Sequence, residues 1–227
     1  MPDLKLIGGF TMLEVGKAYP KPEMSLIFGT KAKQGLDRKL ERYGITFSVS
    51  GRGEQAVYKI QGICDPFKVF AITELGFDAN TDFRKLRNFY YYFFNDEEFM
   101  AMPDEVKENR MRKEGKDISR QTIAGYTAKL VANNLVDRFP FNNFIYYFAY
   151  QGEQRIVERA EYSKAWREYW QNKDDGMEYY EAISEMIANY GGVARKQPIP
   201  ELNGIYNEKI EYLRSLIQQS IENEIAD

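Results

Sequence analysis

Asp117–Val136 reads DISRQTIAGYTAKLVANNLV. Ser119 stands where a helix wants a capping hydroxyl, and Ile123, Thr127 and Leu130 then recur at helical spacing, which predicts a helix over Ser119–Asn133. Asn133-Asn134 supplies the stop, and the apolar pair Leu135-Val136 begins a strand. Upstream, Pro103-Asp104 opens another helix, Met102–Glu114, with Val106 and Met111 inward. Gly115 makes the tight turn between the two helices.

The pattern Ser-Arg-x-Thr-Ile, with a Leu seven residues after the Ile and then Leu-Val, resembles the recognition helix of winged helix-turn-helix regulators. What the resemblance implies is a helix laid in the DNA major groove, with Arg120, Gln121, Thr122 and Lys129 as candidate contacts. With Ile123, Thr127 and Leu130 inward, the outward positions fall to Gln121, Gly125, Ala128 and Lys129. Such a face offers little to a base edge.

The same unit starts at Asp65-Pro66, with a helix over Phe67–Leu75 ended by Gly76. A long helix follows over Phe83–Asn95, and its LRNFYYYFFN is the most aromatic run in the chain. Aromatic residues on every side of a helix call for burial all round, so Tyr90, Phe93 and Phe94 are assigned to the core. The wing expected after Ser119–Asn133 is Leu135–Phe139 paired with Phe144–Tyr150 through a turn at Asn142-Asn143.

Towards the N-terminus the pattern recurs. Phe10–Val15 reads as a strand, Lys21–Phe28 as a short helix closed by Gly29, and Lys31–Tyr43 as a second helix capped by Thr30 and stopped at Gly44. Ala32, Leu36, Leu40 and Tyr43 make its apolar stripe; Lys31, Gln34, Arg38 and Arg42 stand opposite. From Ile45 the period changes to two. Ile45, Phe47 and Val49 lead into the turn Ser50-Gly51-Arg52-Gly53-Glu54, and Val57, Tyr58 and Ile60 return.

Helix, turn, helix and hairpin again resemble a winged helix, although the strand at Phe10–Val15 takes the place of a first helix. The implied DNA contacts are Lys31, Gln34, Arg38 and Arg42 in the major groove and Arg52 on the wing tip.

Beyond Gly152 a helical tail is expected. Glu161–Gln171 carries Tyr162, Ala165, Trp166 and Trp170 inward, Tyr179–Tyr190 carries Ile183, Met186 and Ile187, and VARKQPIPELNG reads as an extended connector. A last helix over Ile205–Glu224 places Tyr206, Ile210, Leu213, Ile217 and Ile221 on one stripe, a surface suited to the chain's own body or to a homodimer.

The 227 residues include no His, which removes His-based acid-base and nucleophile pairs and the commonest metal ligand. Gly51-Arg52-Gly53 lacks a Walker lysine and a strand-to-helix setting, so no phosphate loop, cofactor or metal is expected. Cys64 is alone and reads as a small buried hydrophobe. The net charge of -3 hides a gradient: cations exceed acids over residues 1–65, and acids exceed cations over 140–227. A basic front is compatible with DNA despite the acidic total. MPDLKLIGGF has no basic and apolar leader pattern, and no window is apolar enough for a span, so a cytoplasmic, non-membrane protein is expected.

Across GKAYPKPEMSLIFGTKAKQGLDRKLERYG, ISRQTIAGYTAKL, EYSKAWREYW and YGGVARKQPIPE the chain also resembles proteins carried by bacterial phages and other mobile elements. Tandem winged helices with a helical tail are similar in architecture to plasmid replication initiators. The fold class expected is mainly α with small β-hairpins (α+β), in three parts: winged-helix-like units over 1–65 and 66–152, then a helical tail over 153–227. The function expected is non-enzymatic binding of double-stranded DNA in regulation or replication. An adaptor or inhibitor that keeps the scaffold without binding DNA is the alternative.

Overall fold

A computed structural model describes residues 13–30, 33–138 and 143–226. Among them ten helices and three small antiparallel sheets alternate, an α+β chain that is mainly helical. The chain divides into two compact units. One takes the described residues up to Tyr91, Ala128–Leu135 and the residues from Asn203 on; the other takes Tyr92–Thr127 and Val136–Leu202.

The first unit begins with strand β1 (Ala18–Pro20), helix α1 (Lys21–Ile27), helix α2 (Lys33–Arg42), and strands β2 (Ile45–Ser50) and β3 (Val57–Ile63). β2 and β3 form the expected antiparallel hairpin, and β1 joins the far side of β3, giving the order β1-β3-β2. The strand expected at Phe10–Val15 is absent from its described part; pairing starts only beyond the turn at Gly16, whose amide donates to Ile60 O. Tyr19 then points inward and is buried with Met24, Leu36, Leu40, Tyr43, Ile45, Tyr58 and Ile60. One apolar side from each of five elements closes this core. Cys64 lies just past the end of β3 and is exposed, contrary to its expected burial.

Helix α3 (Pro66–Thr73) is capped by Asp65, whose carboxylate accepts from Lys68 N at 3.0 Å. The last helix, α10 (Asn207–Ala226), packs on it, with Tyr212 edge-on to Phe70. Ile210, Leu213 and Ile217 of the expected stripe are buried within the chain, the first of its two expected partners, while Tyr206 and Ile221 are half-buried.

The aromatic helix α4 spans Phe83–Asn95 as expected, with Leu86, Phe89, Tyr90, Phe93 and Phe94 buried on one face, but it is not buried all round as expected, because Arg84, Tyr91 and Asn95 on the other face are exposed. Helix α5 (Glu97–Ala101), capped by Asp96, was not legible in the sequence pattern. α6 (Asp104–Lys113) buries Met111 as expected, but its other buried residue is Lys107 rather than Val106. In α7 (Arg120–Ala132) Ser119 caps through Thr122 N, while Ile123, Thr127 and Leu130 are buried.

The expected second wing is corrected. β4 (Val136–Asp137) pairs with β8 (Glu201–Leu202), not with β5 (Phe144–Tyr150). β5 instead lies between β6 (Glu153–Val157) and β7 (Val193–Pro198), and β7 is the segment read as a connector. Gln151 and Gly152 both have positive φ, which makes the two-residue β5–β6 turn a mirror-image type suited to a hairpin. The expected turn at Asn142-Asn143 falls partly outside the described residues.

Helices α8 (Arg159–Asp174) and α9 (Tyr179–Tyr190) cover the β6-β5-β7 sheet, with Phe148, Ala165, Tyr169, Ala182, Met186 and Ala194 as their core. Tyr169 points inward; Trp170, expected there, is 57% exposed. Gly192 is buried against β5, and a Cβ on it would meet the Ala149 backbone at 2.9 Å. Gly192→Ala is therefore expected to cost about 1–3 kcal/mol through overpacking, read as an earlier urea midpoint; an unchanged midpoint refutes that packing.

Candidate nucleic-acid interface

Helix α2 is built by a simple division of its sequence, KQGLDRKLER. Leu36 and Leu40, one turn apart, are completely buried and fix the inward side. At about 100° per residue, Arg38, Glu41 and Arg42 then fall on the outward half, and all three are exposed. Lys31 and the side chain of Gln34 lie outside the described residues. Glu41 was missed in the sequence reading, which counted only cations and Gln on this face.

Several polar contacts hold the helix in place. Lys39 Nζ donates to Phe28 O at 2.7 Å, tying α2 to the end of α1, and Lys68 Nζ donates to Arg42 O at 3.2 Å in the last turn. A cation at that end also suits the helix dipole. The Tyr58 hydroxyl, on β3, donates to Asp37 Oδ1 at 2.8 Å. Burial and this hydrogen bond push the Tyr58 phenol well above its ordinary value, so it remains a neutral donor. The Arg42 guanidinium donates to Asn80 Oδ1, which orients it beside the loop before α4.

The hairpin tip carries Arg52, exposed between two glycines of positive φ. Glu54, two residues on, is also exposed but accepts from Lys21 Nζ at 2.8 Å. Its charge is thus offset locally. The outward groups of this unit form a mixed surface, with Arg38, Arg42 and Arg52 against Glu41 and the partly compensated Glu54.

No family model, curated protein or solved structure matches the chain.

On α7, Arg120 and Gln121 are exposed in its first turn, and Thr122 Oγ1 is engaged with Ser119 Oγ at 2.9 Å. Lys129 is committed elsewhere: its Nζ donates to Gly76 O at 2.7 Å and lies 5.7 Å from the centre of the Phe77 ring. Gly125 and Ala128 are exposed and carry no polar side chain. Among the described residues, β4 directly after this helix pairs with β8 and not with β5, so the expected wing does not form there. Among the described residues, no helix is long and apolar enough to cross a membrane.

Proposed function

We propose that residues 18–63 form a winged-helix unit that binds double-stranded DNA, with α2 in the major groove and Arg52 reaching a neighbouring minor groove. The observation that carries the reading is the wiring: a strand, two successive helices, and a hairpin whose returning arm pairs with the first strand. In that arrangement the second helix is the one presented to DNA. Arg38 and Arg42 on its open side supply phosphate or guanine contacts, and Glu41 can accept from a cytosine amine. The proposed role is non-enzymatic, in the regulation or replication of a mobile element, a setting supported by the resemblance to phage and mobile-element proteins.

One observation favours a second reading. Glu41 and Glu54 stand among the cations, and an interleaved surface also suits a protein partner on the same scaffold. Titration of the whole chain into a labelled mixed-sequence duplex across a salt series separates the two. If Arg38, Arg42 and Arg52 each neutralise one phosphate, log affinity should fall against log salt with a slope of about 2.7. Absence of binding at low salt would discard the DNA reading and leave the adaptor.

A further inference from the structure

Lys107, in the second unit, is the least expected buried group of the chain. The side chain is 2% exposed. Phe93 and Phe99 lie against it, with its Nζ 5.4 and 6.0 Å from their ring centres. Its carboxylate neighbour is Asp104, one turn earlier, whose Oδ1 is 3.8 Å away, too far for a hydrogen bond. The other oxygen of the same carboxylate is 3.5 Å from Arg138 Nη2, so two cations flank one acid.

These three side chains, with Thr127 and Gln197, line a cavity of about 180 Å³. A water needs about 10–15 Å³ by this measure, so there is room for a small organic molecule. The wall has chemistry to match. Thr127 Oγ1 donates to Ile123 O and Gln197 Nε2 to the carbonyls of Ala101 and Met102, so these two groups are anchored within the fold. The Lys107 amine and the Arg138 guanidinium are the cationic groups of the lining.

Burial lowers the Lys107 pKa from 10.5 to about 8, against the opposing pull of Asp104. At pH 7 roughly a tenth of such an amine is neutral, compared with about one part in three thousand for an exposed lysine. Desolvation beside a second cation is a recognised way to make a lysine nucleophilic.

We propose that Lys107 forms an imine with a small 2-oxo acid bound in this cavity. The neutral Nζ attacks the carbonyl carbon, and the carbonyl pair moves to oxygen. Asp104 relays a proton from nitrogen to that oxygen, giving a carbinolamine. The second nitrogen proton then passes through Asp104 to the hydroxyl, which leaves as water as the nitrogen lone pair closes the C=N bond. Amine plus carbonyl gives imine plus water, with no change of oxidation state. Arg138 takes the acid's carboxylate, a pairing its planar fork of donors suits.

The test uses the full chain, glyoxylate as probe, and cyanoborohydride to fix any imine as a carboxymethyl-lysine, located by peptide mass spectrometry. Lys107 should label at least roughly tenfold faster than the exposed Lys59, because lower basicity blunts some of its larger neutral fraction. Acetaldehyde, which has the carbonyl without the carboxylate, should label Lys107 more slowly than glyoxylate does. Arg138→Gln should abolish that preference while leaving acetaldehyde labelling in place. Labelling of Lys107 no faster than Lys59 overturns the reactive amine, and an unchanged preference in Arg138→Gln overturns the 2-oxo acid.

Discussion

Phe93→Ala should lower the stability of the chain by about 3–5 kcal/mol, the usual cost of emptying a buried aromatic site. Phe93 is 1% exposed and lies edge-on to Phe94, with ring centres 5.6 Å apart. Its other face receives Lys107, so truncation also uncovers the stem of a desolvated lysine. The loss is large against a total stability of roughly 5–15 kcal/mol. Urea unfolding followed by tryptophan fluorescence is a suitable measurement, because Trp166 and Trp170 belong to the same compact unit as Phe93. A variant that unfolds with the parent and instead loses affinity for single-stranded nucleic acid would overturn the core assignment in favour of base stacking.

The aromatic helix was legible because its signal is local. Leu86, Phe89, Tyr90, Phe93 and Phe94 recur at i, i+3, i+4, i+7 and i+8, one broad apolar face that must be covered, while Arg84, Tyr91 and Asn95 stay exposed on the other side. The first hairpin was legible for a similar reason: Leu36, Leu40 and Tyr43 keep a helical period, Gly44 ends it, and Ile45 onward alternates. Ser119 announced α7 through its own cap. In each case the residues that make the element also mark it.

Strand partners were another matter. β4 and β8 are joined by pairing of Val136 with Leu202, and nothing near Val136 announces so distant a partner. Gln151 takes a positive φ that Asn or Gly adopts more readily, so the turn between β5 and β6 carried half its usual signature. β7 contains adjacent exposed Arg195 and Lys196 and ends in proline, a composition that reads as linker; only its seat beside β5 makes it a strand. The candidate interface was only partly legible for a related reason. Counting charges by position found Arg38 and Arg42, but gave no warning that Glu41 shares their face, that Arg42 binds Asn80, or that Lys129 is tied to Gly76.

That engagement of Arg42 shapes the most direct test of the proposed interface. Arg38→Ala combined with Arg42→Ala should leave the fold intact, because both side chains are exposed and Leu36 and Leu40 on the opposite side are untouched. If both cations contact phosphates, the slope of log affinity against log salt should flatten by about 1.8, and at about 0.1 M salt binding should weaken roughly fifty-fold. Loss confined to one preferred sequence, worth about 1–3 kcal/mol, would mark a base contact instead. The control is Asn80→Ala, which removes the partner of Arg42 without changing any charge. It should leave the slope as in the parent, since counterion release depends on the cation and not on its tether. Gln121→Ala, on the helix without a wing, should also bind as the parent does. Parent-like binding by the double variant, measured by fluorescence anisotropy on one mixed-sequence duplex, would remove α2 from the interface whatever else in the chain holds DNA.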